Sequence, residues 1–582
     1  MDKEILKRLV SFVKPYRLYL CFSAISATVG VGLSLFTPIL VGKAIDYIIG
    51  KDQVLFQNMI KILITLIIVI LISSLFQWMM TYFTNRITFL TVKDLRKLSF
   101  RKINKVPLSY IDGHSHGDIM SRVVNDIDQI SDGLLQGFAQ LFTGVITIVG
   151  TLVFMLTIHK WITFLVVVLT PLSLFVASFI ARSTFHKFKE QALIRGELGG
   201  YIEEMIGNQK VVKAFRYEDR SIENFKEMNK RLQDVGVMAQ FYSSLTNPAT
   251  RFVNGFVYAT VGIFGALAAM KGHLTIGQIL SFLTYANQYT KPFNEISGVV
   301  TELQSAMASA RRVFEFIDEP EESSDENLLE DITCTGEVEI KDVNFSYDMG
   351  KPLIEDLNLK VEPGQRIAIV GPTGCGKTTI INLLMRFYDV TSGDITLSGY
   401  SIKDMKRKTL RSMYGMVLQE TWLFHGTVWE NIAYGKEDAT EEEIVEAAKA
   451  AHAHSFIKRL PEGYDTIILE DGGNISQGQK QLLCIARIML SKPPMLILDE
   501  ATSNIDTRTE IRIQKAFARL MEGRTSFVVA HRLSTIKESD VILVMDQGHI
   551  IEKGTHDSLL ACNGFYANLY NSQFKTQEIP SN

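Results

Sequence analysis

Cysteine is scarce in this chain. Cys21, Cys334, Cys375, Cys484 and Cys562 are all there are among 582 residues, and no two stand at a paired or metal-ligand spacing. That excludes a disulfide framework and a thiolate zinc site, and it suits free thiols in a reducing compartment. An excess of one charge is missing too. Lys and Arg number 60 against 63 Asp and Glu, a net charge of −3, so no electrostatic footprint of nucleic-acid binding is present. The pattern of a removable leader is not expected at the N-terminus either. The N-terminal "MDKEILKRLVSFVKPYR" is amphipathic and basic, with no small-residue cleavage site after a short apolar core. It reads as an interfacial helix leading into a first membrane span. The length excludes a single core, so at least two domains are expected.

The most telling absence is local. Charged residues are missing from six long runs in the first half, at 18–42, 62–84, 133–159, 161–181, 252–270 and 272–290, and no comparable run follows about residue 315. Each run approaches or exceeds the roughly 20 residues a helix needs to cross the hydrocarbon core. One such run fits a buried soluble helix; six in one half predict a membrane domain. Segments 85–132 and 182–251 are long, helical in pattern and rich in Lys and Arg, whereas the turns at Lys160 and Lys271 are very short. The positive-inside rule then puts both termini and both long segments in the cytoplasm. With few Gly or Pro breakers, those segments should extend the spans as paired cytoplasmic helical rods.

"DEPEESSDENLLED", from Asp318 to Asp331, is acidic and poor in apolar residues, which suits a solvated linker. Beyond it, short β-branched runs alternate with helical stretches, as in an α/β domain with a largely parallel sheet. The expected organisation is therefore multidomain: an all-α six-helix transmembrane domain over 1–317, a linker over 318–333, and an α/β phosphate-loop nucleotide-binding domain over 334–582.

"RIAIVGPTGCGKTTIINLLMRF" gives strand, Gly-rich loop and helix in order, with a full G-x-x-x-x-G-K-[ST] match at Gly371, Gly376, Lys377 and Thr378. Gly371, Thr373, Gly374, Cys375, Gly376, Lys377, Thr378 and Thr379 are the candidate ATP-phosphate residues. Glycines let backbone N–H groups close on phosphate oxygens, Lys377 neutralises charge, and the Thr378 hydroxyl is placed to ligate Mg²⁺. "LILDEATSNID" runs an apolar strand into two adjacent carboxylates. Asp499 suits the phosphate-bound Mg²⁺, and Glu500, one position on, suits polarising the attacking water.

With these motifs in place the whole chain resembles the ATP-binding cassette (ABC) exporters in which a membrane domain is fused to its nucleotide domain. "NISQGQKQ" is similar to the family's signature motif, with Ile475, Ser476, Gln477, Gly478 and Gln479 in its core places; Ile475 and Gln477 depart from the commoner Leu and Gly. The resemblance implies that this motif closes over the γ-phosphate held by another nucleotide domain. It further implies an adenine-stacking role for Tyr347 in "NFSYD", an Mg²⁺ link for Gln419 in "MVLQE", contact with the opposite site for Asp506 in "SNID", and a catalytic switch role for His531 in "VVAHRLST". In the second long loop, "NQKVVKAFRYED" suggests a short crosswise coupling helix with Phe215 as its peg, and "SYIDGHSHGDIMSRVVND" offers the counterpart in the first.

The spans hold almost no charge, so a small-ion path is not indicated. Phe76, Trp78, Met79, Met80, Tyr82 and Phe83 crowd one end of the second run, and Phe282, Tyr285 and Tyr289 lie along the sixth. Such surfaces suit hydrophobic or amphipathic cargo and equally suit lipid-facing packing. The expected function is ATP-driven export of drugs, lipids or peptides across the cytoplasmic membrane, with a channel or regulator gated by ATP as the alternative. One phosphate loop and one signature per chain require a second half-transporter. The "ISQGQ" and "SNID" stretches look most like the catalytically intact member of heterodimeric bacterial exporters, so the resemblance favours a heterodimer, and nothing in the sequence excludes a homodimer.

Overall fold

The computed structural model describes residues 2–48, 54–348, 350–418, 421–469, 473–499, 505–529 and 536–573. The chain divides into two compact units: residues 1–105 with 114–319, and residues 106–113 with 320–582. The eight-residue segment at the tip of the first long loop thus belongs with the nucleotide domain that lies more than two hundred residues later in sequence.

The first unit is helical. Its elements are α1 (Asp2–Val13), α2 (Arg17–Asp46), α3 (Phe56–Ile103), then, after α4 (Leu108–Gly113) of the other unit, α5 (His116–Val123), α6 (Asn125–Ile158), α7 (Lys160–Gly207), α8 (Gln209–Ala214), α9 (Glu218–Ser244), α10 (Thr246–Met270) and α11 (Ile276–Asp318). α3 and α7 each run 48 residues. At 1.5 Å per residue that is about 72 Å, more than twice the hydrocarbon core, so each has length for a span and a long rod beyond it. Among the described residues, Lys3–Asp46, Phe56–Ile103, His116–Ile158 and Glu218–Met270 are long and apolar enough to cross a membrane. The fourth and sixth uncharged runs fall on α7 and α11. α11 misses that standard of hydropathy because Thr, Asn, Gln and Tyr interrupt its apolar residues.

Small residues set the helix contacts. A Cβ on Gly277 of α11 would lie 2.0 Å from the Gly42 carbonyl oxygen of α2, so the two backbones touch where only glycine fits. Asp46, ending α2, accepts from the Gly277 N–H at 2.8 Å and the Thr275 hydroxyl at 2.7 Å. Thr275 in turn forms a capping box with Gln278 at the start of α11. Phe282, Tyr285 and Tyr289 are buried among α2, α6 and α10, and the Tyr285 hydroxyl donates to the Leu35 carbonyl at 2.5 Å. These three aromatics are bundle core, not cargo surface. Trp78 and Tyr82 are exposed, whereas Met80 is buried.

The second unit carries β1 (Val338–Phe345), β2 (Ile354–Val361), β3 (Arg366–Val370), β4 (Ser392–Leu397), β5 (Tyr400–Ser401), β6 (Tyr414–Val417), β7 (Gly426–Thr427), β8 (Ile467–Ile468), β9 (Met495–Asp499), β10 (Thr525–Val529), β11 (Val541–Asp546) and β12 (His549–Gly554). Six form a sheet in the order β12-β11-β3-β10-β9-β6, parallel except for the edge strand β12. β9 and β10 are buried along their whole lengths, as central parallel strands covered on both faces must be. The expectation of a largely parallel sheet holds for this layer. A second, antiparallel sheet in the order β2-β1-β4-β5 stands beside it. Its strands alternate inward and outward residues with interruptions, as at Glu355 and Asp356 of β2, both exposed.

The acidic stretch read as a solvated linker is largely exposed, and several of its residues are also tied down. The buried Arg407 guanidinium donates to the Asp325 carboxylate at 2.6 Å and to the Ser323 carbonyl at 2.8 Å, and Lys406 pairs with Glu330. Leu329 also makes a β-bridge with Met405. Acidic residues that read as solvated from composition are here the complement of a basic helix start.

Candidate nucleotide site

The site grows from the carboxyl ends of parallel strands, where open α/β sheets place ligands. β3 leads directly into the loop 371–376 and then into helix Lys377–Leu384. Gly374 and Gly376 take φ of +85° and +101°, a region that side-chain-bearing residues rarely adopt. A Cβ on Gly371 would lie 2.2 Å from the Met545 carbonyl oxygen, and the Gly548 N–H donates to the Cys375 carbonyl at 3.2 Å. The turn between β11 and β12 thus backs the loop and fixes its curvature. Within the loop, the Lys377 ammonium donates to the Gly371 carbonyl at 2.9 Å and the Pro372 carbonyl at 2.8 Å. The charge is held across the loop's mouth. Thr373, Gly374 and Thr378 are exposed, and Cys375 is buried. Thr379 is buried as well, with its hydroxyl accepting from the Tyr347 hydroxyl at 3.3 Å.

Strand register places the carboxylate. Asp499 of β9 pairs with Val529 of β10, and Val529 pairs with Ile369 of β3. Asp499 therefore stands level with the loop entry, two strand spacings away, or about 10 Å. Its side chain is largely buried. Glu500 follows it immediately in sequence, Gln419 follows β6, which pairs with β9, and His531 follows β10. These three lie outside the described residues.

Tyr347 leaves the end of β1 with its ring half exposed. Asn382 donates to its hydroxyl at 3.0 Å, and the ring stands edge-on to Phe345 at 4.8 Å and to Tyr388 at 4.9 Å. An exposed face supported from behind is what base stacking requires. Tyr388 was not apparent from sequence. Its hydroxyl donates to Asp112 of α4 at 2.5 Å, and burial, seconded by that carboxylate, raises its pKa. An aromatic four residues beyond the end of helix Lys377–Leu384 carries no sequence signal, because its role is visible only from the segment it touches.

The signature residues start helix Gln477–Ser491. Ser476 caps it, accepting from the Gln479 N–H at 3.3 Å while the Gln479 side chain accepts from the Ser476 N–H at 2.9 Å. That capping box leaves Ser476 and Gln477 exposed. Gln477 donates to the Thr421 hydroxyl at 3.1 Å. Ile475, the departure from leucine, is buried and keeps the apolar anchor. A Cβ on Gly478 would come within 2.5 Å of Thr509 and 3.0 Å of Ile505. The signature helix is thus packed against the start of helix Thr507–Met521. Asp506 caps that helix by accepting from the Thr509 N–H at 2.9 Å, and hydrogen bonds from Thr509 hold its carboxyl below the usual range. In the first unit, Phe215 ends α8 with 79% of its surface exposed.

Comparison with known proteins agrees with this geometry. Residues 20–293 match the ABC transporter transmembrane region and residues 354–503 the ABC transporter family. The chain is 42% identical over 98% of its length to the uncharacterised ABC transporter ATP-binding protein YfiC of Bacillus subtilis, covering 95% of that protein. It is 45% identical over 85% of its length to a fatty acid ABC transporter ATP-binding/permease protein of Mycobacterium bovis, covering 78% of that relative. Among solved structures, a bacterial Atm1-family ABC exporter with ATP bound superposes with a TM-score of 0.79 at 28% identity, covering 97% of this chain and 99% of that one.

Proposed function

The chain belongs to the ATP-binding cassette exporters, membrane proteins that couple ATP hydrolysis to the export of lipids or drugs, and from that premise we propose how its own residues divide the work. The observation that carries the proposal is that Ser476 and Gln477 are exposed at a capped helix start in a chain with one phosphate loop. ABC exporters act as dimers. We place this chain's signature residues over the phosphate loop of a second nucleotide domain, with Asp506 at the seam.

Thr378, Gln419 and Asp499 are assigned to Mg²⁺. The fit is supported by Thr378 being an exposed hydroxyl at a helix start and by Asp499 standing about 10 Å from the loop entry across two parallel strands. When bound, the ion supplies charge neutralisation between the outer phosphates. Lys377 holds the same charge from the protein side, and Tyr347 stacks the base. Glu500 accepts the proton of the attacking water, and His531 orients the γ-phosphate end of the site. Phe215 is assigned as the peg by which the second long loop engages a nucleotide domain. The nucleotide domain and both termini are placed in the cytoplasm, supported by the Lys and Arg of the long loops.

For the partner, a heterodimer is favoured, with a second chain whose own ATPase site is degenerate. The test is expression of this chain alone in a bacterial membrane, followed by phosphate release and ATP-dependent dye movement into inside-out vesicles. Activity restored only by a co-expressed second half-transporter supports the heterodimer. Robust, drug-stimulated turnover by the isolated chain's homodimer overturns it.

A further inference from the structure

The membrane unit contains polar side chains for which the nucleotide chemistry has no use. A cleft of about 310 Å³ lies among α2, α3 and α11, lined by Ser34, Thr37, Ser74, Gln77, Thr284 and Gln288 among others, with no charged side chain in its lining. Gln288 stands twelve residues beyond Ile276, the start of α11. At 1.5 Å per residue that is about 18 Å along the helix, well inside a hydrocarbon core roughly 30 Å thick. Polar groups at that depth are costly unless something satisfies them.

The hydrogen-bond accounting gives the cleft a polarity. Gln288 Oε1 is buried and has no hydrogen-bond partner among the described residues. The Thr284 hydroxyl donates to the Leu280 carbonyl at 3.0 Å, and the Ser73 hydroxyl donates to the Gly30 carbonyl at 2.8 Å. Both protons are committed within the helices, and the Ser73 oxygen also accepts from the Gln77 amide at 3.4 Å, so each oxygen keeps at least one lone pair. A carboxylate head, which brings only acceptors, leaves Gln288 Oε1 unsatisfied. A cationic head meets no counter-charge. A hydroxyl-bearing neutral head matches. Val41 and Ile70, also in the lining, are exposed, so an acyl tail attached to that head stays on the apolar surface.

We propose that this cleft is a head-group site for neutral, hydroxyl-bearing lipids, with Gln288 Oε1 as the acceptor that selects for donor heads. The proposal rests on the export reading and narrows its substrate class. It also separates this chain from its fatty acid-transporting relative, since a fatty acid enters as an anion.

The experiment is equilibrium binding of three radiolabelled probes with the same tail, 1-monomyristoylglycerol, myristate and methyl myristate, to the assembled full-length transporter in nanodiscs without nucleotide. Monomyristoylglycerol is expected to half-saturate at a concentration at least about tenfold below the other two, and Gln288→Leu to erase that preference while leaving methyl myristate unchanged. Equal affinities for the three heads in the unaltered protein overturn the proposal, whether or not the variant inserts. The same transporter reconstituted into inside-out vesicles and assayed for ATP-dependent transfer of monomyristoylglycerol separates the two readings. Head-group preference without transfer sustains the cleft and contradicts export of this lipid.

Discussion

The Tyr388 hydroxyl donates to the Asp112 carboxylate at 2.5 Å, joining the nucleotide domain to the eight-residue segment it captures from the first long loop. The ring of Tyr388 meets Tyr347 edge-on at 4.9 Å, so one side chain touches both Tyr347, proposed to stack the base, and the loop helix α4. Tyr388→Phe keeps the ring contacts and deletes the bond. A hydrogen bond to an exposed carboxylate is worth about 1 kcal/mol, or roughly fivefold in an equilibrium. ATP affinity should stay within about twofold, while stimulation of ATPase by transported compounds should fall by about fivefold. Stimulation equal to that of the unaltered protein would show that this bond plays no part in coupling.

Gly478 is the signature residue that structure constrains most closely. Its missing Cβ leaves room for the close approach of Thr509 and Ile505. Gly478→Ala should cost about 1–3 kcal/mol by overpacking, lower the thermal midpoint of the nucleotide domain, and abolish most ATP turnover while retaining nucleotide binding. Binding is read by equilibrium dialysis of labelled ATP, and normal turnover would contradict the packing argument.

Cys375 has 3% of its surface exposed, and its backbone carbonyl is held by Gly548. Alkylation should therefore be slow, proceeding as the loop opens, and should block ATP binding once complete. MgATP should slow it further by closing the loop. Mass-spectrometric labelling rates that are equal with and without nucleotide would contradict this.

The nucleotide domain was far more legible in sequence than the membrane unit. Phosphate-loop glycines are dictated by backbone geometry and the Asp499 strand by burial on both faces, so both leave local patterns. The antiparallel sheet left a weaker mark, since β1, β2 and β4 pair across intervening residues and alternate only partly. Tyr388 and the capture of α4 were invisible because they join residues 276 positions apart. Phe282, Tyr285 and Tyr289 read equally well as cargo surface or lipid-facing packing; their neighbours on α2, α6 and α10 make them core instead. Composition reports the charge of the acidic stretch without reporting the Arg407 and Lys406 that receive part of it.

Glu500 is proposed to activate the water in the ATP hydrolysis that drives export. Phosphate release from the purified, lipid-reconstituted transporter, compared with its Glu500→Gln variant at saturating MgATP, tests it most directly. Turnover should fall at least about a hundredfold, the usual contribution of a positioned base, while ATP binding is unchanged. Near-normal phosphate release by Glu500→Gln would contradict the account.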